Sequence, residues 1–558
     1  LTTLCKGFNF VSLKKNKKMK QTFSKITAVW LASVILSPTL LIAQSNETTH
    51  ELSKPAQKGI LANAELSSDG NIRMTYKMKV DKKSDQVNYE DYVFDKNLKF
   101  IGVEKTKEDK QSQPDQKVTL IKAFVGGTNS FNVMSMSLNL QQEVWERNWN
   151  YDKQKYQWGS RISKEVVKPK NNDSKYRGFA AFGNDDDGSV LILASYDSGD
   201  DDQFVCLHVD KSLNMSETKL PLQGKYSMVY CGTLKSGNIF AVFAPNEGMS
   251  DTKKYYYIEC STDSKVAKSS EFTSPSPNML IMDYSEANGD LYFIAGSDKS
   301  TEAYNKVFTS YAPIDNPGYS TSNNRQMDKY EKRVMGTEFA NLHLLRFTDG
   351  KLAFASTEPV KDFKTKVVTP PSQKKGQPYT GKKIVIENLF VAPSGDVLVA
   401  GQLSDKKVVN GGNSYEFRYY DYVCMQFDNQ GKLTAQYAVN KLLDDSKNEV
   451  FSANQNFILS ADGKSVYWEI LEVQAAKYYA SVAAAYSGNY SLSSHYFPRI
   501  ASITLSTHTI SNFTELGEKG KYLVYHSITS LTDKDNNRFY IGHDENYKNI
   551  WLGKYSFR

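Results

Sequence analysis

Cysteine and histidine are scarce in this chain, and their scarcity removes several familiar chemistries. Five cysteines are spread over 558 residues with no two close together, so neither a disulfide-dense scaffold nor a Cys-x-x-Cys redox or zinc site is indicated. The seven histidines, His50, His208, His343, His495, His508, His526 and His543, form no His-Glu-x-x-His and no pair at ligand spacing within one element. There is no Gly-x-Ser-x-Gly elbow, and no Gly-rich phosphate loop ending in Lys-Ser or Lys-Thr. No cofactor is expected. Catalysis by residues far apart in sequence stays open.

Acidic residues are missing altogether from positions 1–44, which hold seven lysines, Lys6, Lys14, Lys15, Lys17, Lys18, Lys20 and Lys25. Taking those seven from the 69 basic residues leaves 62 against 62 acidic, so the formal charge of +7 belongs to the leader and the remainder is neutral. A neutral body has no general counterion-release drive toward a polyphosphate, and no nucleic-acid partner is expected. From Met19 the pattern is Lys20, Lys25, an apolar run Ile26–Ala43, then polar Gln44-Ser45-Asn46. This reads as a secretory signal peptide over 19–44, cut after Ala43 or Gln44, with 1–18 an upstream extension. Leu41 is large for the minus-three site, and the run is just long enough for an uncleaved anchor, but Pro38 and the lack of a basic stop-transfer flank favour cleavage. The expected location is therefore exported, whether periplasmic, cell-surface or extracellular, with no stable membrane span after cleavage. Cys206, Cys231, Cys260 and Cys424 then remain; Cys206 and Cys424 fall at equivalent repeat positions that should not touch, and isolated buried thiols are expected.

Aromatics are abundant, with 35 Tyr and 28 Phe, and suit half-buried strands. An apolar strand, a tight turn rich in Asp, Asn and Gly, and a second apolar strand recur along 45–558. The turns include Ser68-Asp69-Gly70, Asp187-Gly188, Ser236-Gly237-Asn238, Asn288-Gly289-Asp290, Ser394-Gly395-Asp396, Asp462-Gly463 and Asp535-Asn536-Asn537. Gly and Asn accept the positive φ that such hairpins demand. A second hairpin follows in most units, as in Tyr92-Val93-Phe94-Asp95 and Met425-Gln426-Phe427-Asp428, with a hydrophobic residue after it at Leu98, Leu213, Leu352 or Leu433. Two hairpins make a four-stranded sheet that cannot shelter both its faces alone, so several must stack. Eight units begin near Ile60, Val118, Phe179, Ser227, Leu280, Ile384, Phe451 and Leu523, with Gly126-Gly127 in place of the usual turn in the second.

This repeat pattern resembles bacterial secreted β-propeller proteins in general, without the Gly-His and Trp-Asp pairs of WD40 repeats or the Asp-box of sialidases. The resemblance implies an all-β ring of seven to eight four-stranded antiparallel blades, a single domain over 45–558. The last unit is one strand short, and a stretch such as Glu51 to Lys58 is expected to supply it.

In such a blade the first and third turns share one face of the ring, while middle loops and inter-blade links share the other. The long stretches at 81–88, 197–203, 246–253, 297–341, 357–383, 404–417 and 474–496 all fall in the second class. Insertions gathered on one face predict a binding surface. Asp200, Asp201, Asp202, Tyr415, Tyr478, Tyr479, Tyr486 and Tyr490 are the candidate ligand contacts, with carboxylates for hydroxyl or amine hydrogens and rings for stacking. The 357–383 insert is Lys- and Pro-rich, with Lys374, Lys375, Lys382 and Lys383. Asp533-x-Asp535-x-Asn537 with Asp544 approximates a calcium loop, but Arg538 replaces the needed Gly, so a blade turn is expected and no metal. Two functions stay open: a binding or scaffold protein for a protein or glycan ligand, or a carbohydrate-active hydrolase or lyase with carboxylates at the channel mouth.

Overall fold

The computed structural model describes residues 45–557 except 81–82, 111–112, 131–132, 151–154, 169, 171–175, 184–188, 198–201, 309–336, 410–413, 444 and 479–490. Within the compact unit Ser45–Phe557 the alternating apolar runs form eight small sheets arranged in a ring, an eight-bladed β-propeller. The innermost strands begin at Ile60, Gln116, Arg177, Tyr226, Leu280, Ile384, Gln455 and Tyr522, within a few residues of the expected unit starts. Blades are numbered 1 to 8 in that order.

The blades are not uniformly four-stranded. Blade 2 has three described strands, Gln116–Ser130, Val133–Asn150 and Lys155–Val167. Blade 6 gains a fifth, Val367–Val368, which runs parallel to its outer strand Leu433–Val439. In blade 2, Gly126 and Gly127 are not the turn: they lie within a strand, opposite Ser137 and Met136, and the chain reverses between Ser130 and Val133. The hydrophobic residues grouped after the second hairpin also separate into two kinds. Leu98 and Leu213 sit in the left-handed region of the turn, at φ 67° and 65°, whereas Leu352 and Leu433 belong to the strands that follow.

The ring closes through residues 45–51 rather than 51–58. Strand Ser45–Glu51 pairs antiparallel with Asn549–Ser556 from Ser45 opposite Tyr555 to Glu51 opposite Asn549, becoming the outer strand of blade 8. Glu47 fixes it: one carboxylate oxygen accepts from Trp551 Nε1 at 2.8 Å and from the Gly517 amide at 2.9 Å. His50 stacks on Phe100 of blade 1 at 3.7 Å. Leu52 then enters the buried cluster shared by blades 8 and 1, with Met74, Phe94, Ile541 and Leu552.

Apolar clusters fill most remaining interfaces, and blade 7 is in addition held by ions. Glu469 and Glu472 lie three apart on strand Ser465–Tyr478, so their side chains leave opposite faces. Glu472, fully buried, takes Arg499 at 2.6 Å and the Tyr422 hydroxyl of blade 6 at 2.9 Å. Glu469, also fully buried, takes Arg538 of blade 8 at 3.1 Å and the Tyr540 hydroxyl.

Cys206, Cys231, Cys260 and Cys424 are all buried, and none is in a disulfide. Cys206 and Cys424 sit in different clusters, as the repeat alignment implies, but the expectation of isolation fails elsewhere. Cys206, Cys231 and Cys260 share the core between blades 3 and 4, and a hydrogen bond to Cys260 together with burial pushes the Cys206 thiol far up.

Candidate functional site

The topology places the described ends of the long insertions on one face of the ring. Six connect the second strand of a blade to its third, and 357–383 links blade 5 to blade 6. Short turns occupy the opposite face, many built alike: the Asp95 carboxylate accepts the amides of Asn97 and Lys99, each at 2.8 Å, and Asp428 accepts those of Gln430 and Lys432, each at 2.9 Å. The calcium-like string is one of these turns. Asp533 receives the amides of Asp535 and Asn537 at 2.9 and 2.8 Å, and Asp544 lies at the far end of strand Asn537–Asp544, roughly 23 Å away.

Of the candidate contacts, Asp200, Asp201, Tyr479, Tyr486 and Tyr490 lie outside the described residues. Asp202, Tyr415 and Tyr478 are placed by their backbone at the insert-face ends of hairpins, opposite Asp197, Val408 and Ser491. The Lys-rich insert is a clasp rather than an open loop. Phe363 and Tyr379 are buried in the core that blades 4 to 6 share, and Gln373 bonds the Ala438 carbonyl and the Asn440 amide along the edge of blade 6, at 3.0 and 2.9 Å. Its lysines stay in water: Lys383 pairs with Asp405 at 2.7 Å, and both are half-exposed.

The most developed surface lies on blade 2. Leu140 and its partner Val167 pack against blade 3. Alternation along Val133–Asn150 therefore turns Trp145, Arg147 and Trp149 to the other face, where the register adds Tyr156, Trp158 and Arg161 from the next strand. The rings and guanidiniums interleave. Trp149 meets Tyr156 edge-on at 5.0 Å, Arg147 lies 5.3 Å from the Tyr156 ring and 5.4 Å from Trp158, Trp158 meets Trp145 at 6.1 Å, and Arg161 lies 5.8 Å from Trp145. Arg161 is tied down by Glu143 at 3.0 Å, which also accepts from Trp145 Nε1 at 3.0 Å. None of the described apolar clusters joins blade 2 to blade 1 across this face. Trp158 is 54% exposed.

Three histidines that are far apart in sequence converge near the insert face of blades 7 and 8. His495 lies 5.7 Å from His526, whose ring also meets Tyr496 at 5.7 Å. His543 is covered by Tyr547, stacked at 3.9 Å, and its Nδ1 donates to the Asp544 carbonyl at 2.7 Å. Burial first, and then the neighbouring imidazoles, hold His495 and His543 below the usual histidine range. Among the described residues no group of histidine, cysteine and acidic side chains is arranged to hold a metal. On the innermost strand of blade 5, beside a bulge at Met282, burial raises the Asp283 carboxyl to about 6.

No family model and no curated protein matches this sequence. Solved structures align at low similarity. Puromycin hydrolase is 10% identical over 72% of this chain, with a TM-score of 0.24, and the alignment spans 56% of that enzyme. The GH93 α-L-arabinofuranosidase of Fusarium graminearum is 9% identical over 68% of this chain and 93% of its own, with a TM-score of 0.23. The Dos1 propeller is 7% identical over 75% and 88%, with a TM-score of 0.22. Likenesses this distant carry no argument about activity. Among the described residues no helix is long and apolar enough to cross a membrane.

Proposed function

We propose that this protein is exported and binds a glycan through the insert-bearing face of its propeller, with the Trp–Arg ladder of blade 2 as a principal contact. One observation carries the reading: Trp145, Trp149 and Trp158 are three of the five tryptophans beyond residue 44, and all three lie on one partly open sheet face. Trp468 and Trp551 are core residues by contrast. Large rings held in water beside guanidinium donors present flat apolar faces for sugar C–H groups and hydrogen bonds for hydroxyls. A Trp158→Ala variant is expected to fold normally, because the ring is half-exposed, and to lose about 2 kcal/mol of glycan affinity, roughly thirtyfold. A glycan array followed by calorimetry on the best binder measures this. Undiminished binding in the variant, or an array without a hit beside a protein ligand captured at the same face, counts against the glycan.

A hydrolase or lyase is the second reading, and Asp283 favours it, since an acid with a raised pKa on the innermost strand suits proton transfer. The folded chain holds this proton more tightly than the unfolded one does. The group's stabilising contribution is therefore complete below about pH 4 and is lost as pH rises through about 6. Asp283→Asn is expected to raise stability by about 1–3 kcal/mol near pH 7 and to change little near pH 4. Thermal melts at the two pH values check this, and loss of any glycan-cleaving activity in the same variant would give the acid a chemical role.

A further inference from the structure

The arginines whose side chains are described divide into two groups. Arg73, Arg161, Arg346, Arg418, Arg499 and Arg538 each lie within 4.0 Å of a carboxylate. Arg147 has no carboxylate partner among the described residues, alone among arginines whose side chains are described, and lies against the rings of Tyr156 and Trp158. The nearby acids are committed elsewhere. Glu143, on the same face, serves Arg161 and Trp145, and Glu146 projects from the opposite face, where it accepts from Ser160 at 3.3 Å. Asp115, next to the residue that faces Arg147 across the first two strands, accepts the Trp149 amide at 3.2 Å.

A guanidinium lying against ring faces keeps its charge and can still present planar N–H groups to an oxyanion as a two-pronged donor. Placed between stacking rings on a strand where same-face residues recur about every 6.6 Å, it would meet an acidic substituent on a sugar whose ring lies on Trp158. Resting on the glycan reading above, we infer that the ligand is an acidic saccharide and that Arg147 receives its carboxylate or sulfate group.

Calorimetric titration of the full chain with an oligogalacturonate, with its methyl ester and with a sulfated oligosaccharide tests this, using Arg147→Gln and Trp158→Ala beside the unmodified protein. The expected result is a preference of about tenfold or more for the free acid over the ester. Arg147→Gln should erase that preference, weakening the free acid about tenfold more than the ester. If the sulfated chain is preferred and Arg147→Gln again removes the preference, Arg147 keeps its role and the acid is a sulfate. If Arg147→Gln changes nothing while Trp158→Ala still weakens binding, the glycan reading stands and the acidic class is wrong. If the unmodified protein binds none of the three, and no glycan elsewhere, both fall.

Discussion

A chain beginning at Leu52 is expected to lose its closed ring. The missing strand leaves the outer edge of Asn549–Ser556 unpaired, and the Trp551 indole N–H, fully buried, loses its acceptor on Glu47. Orphaning that donor costs about 1–3 kcal/mol, and each ladder hydrogen bond removed adds about 1 kcal/mol. Contacts that join blade 8 to blade 1 go too, including the His50–Phe100 stack and the bond from Asn46 to the Asn97 carbonyl. The truncated protein should unfold at markedly lower urea concentration and be cut by protease between blades 8 and 1. A synthetic peptide of residues 45–51 added in excess should recover part of the difference. An unchanged urea midpoint would show that the strand is dispensable. Glu47→Ala, which keeps the strand and removes only the acceptor, should fall between the two.

Glu472→Ala is expected to be the most damaging single substitution in the described core. It leaves Arg499, 7% exposed, without a counter-charge against the Phe513 ring at 4.8 Å, and it strands the Tyr422 hydroxyl of blade 6. Breaking a buried pair from one side costs about 3–5 kcal/mol. Replacing both partners, Glu472→Leu with Arg499→Met, should regain much of that, because the Arg499 charge is then not left buried without its partner. Chemical denaturation of the two variants separates these outcomes; equal stability of single and double variants would mean that the charge is not what matters there.

Much of the ring was readable because tight turns punctuate it. Positions such as Gly70 and Gly395, at φ 83° and 87°, accept a left-handed backbone that most residues resist, and strands of alternating burial follow. Two features escaped for the same reason, a lack of contrast. Ser45–Glu51 is polar throughout and pairs on the ring's rim, so no apolar alternation marks it as a strand. In blade 2 the paired glycines are continuous with a long strand whose reversal, between Ser130 and Val133, carries no glycine.

The blade 2 surface was legible in principle. Trp145, Arg147 and Trp149 stand at every second position, the spacing of one sheet face, and Tyr156 and Trp158 repeat it on the return strand. What hides them is that tryptophan normally signals a core, and only the pairing with Leu140 and Val167 shows which face is already covered. The meeting of His495, His526 and His543 has no sequence signal at all, since a strand, an inner-rim segment and a neighbouring strand bring them together.

The direction of the closing strand has a practical side. Ser45 lies opposite Tyr555, at the end of blade 8 where the turn through Asp533 sits, and Glu51 lies at the other end. Any fusion partner, bead or lipid fixed ahead of Ser45 is thus carried beneath the ring, with the loops and the tryptophan ladder directed outward. Immobilisation through that end leaves the loop-bearing side free for capture experiments.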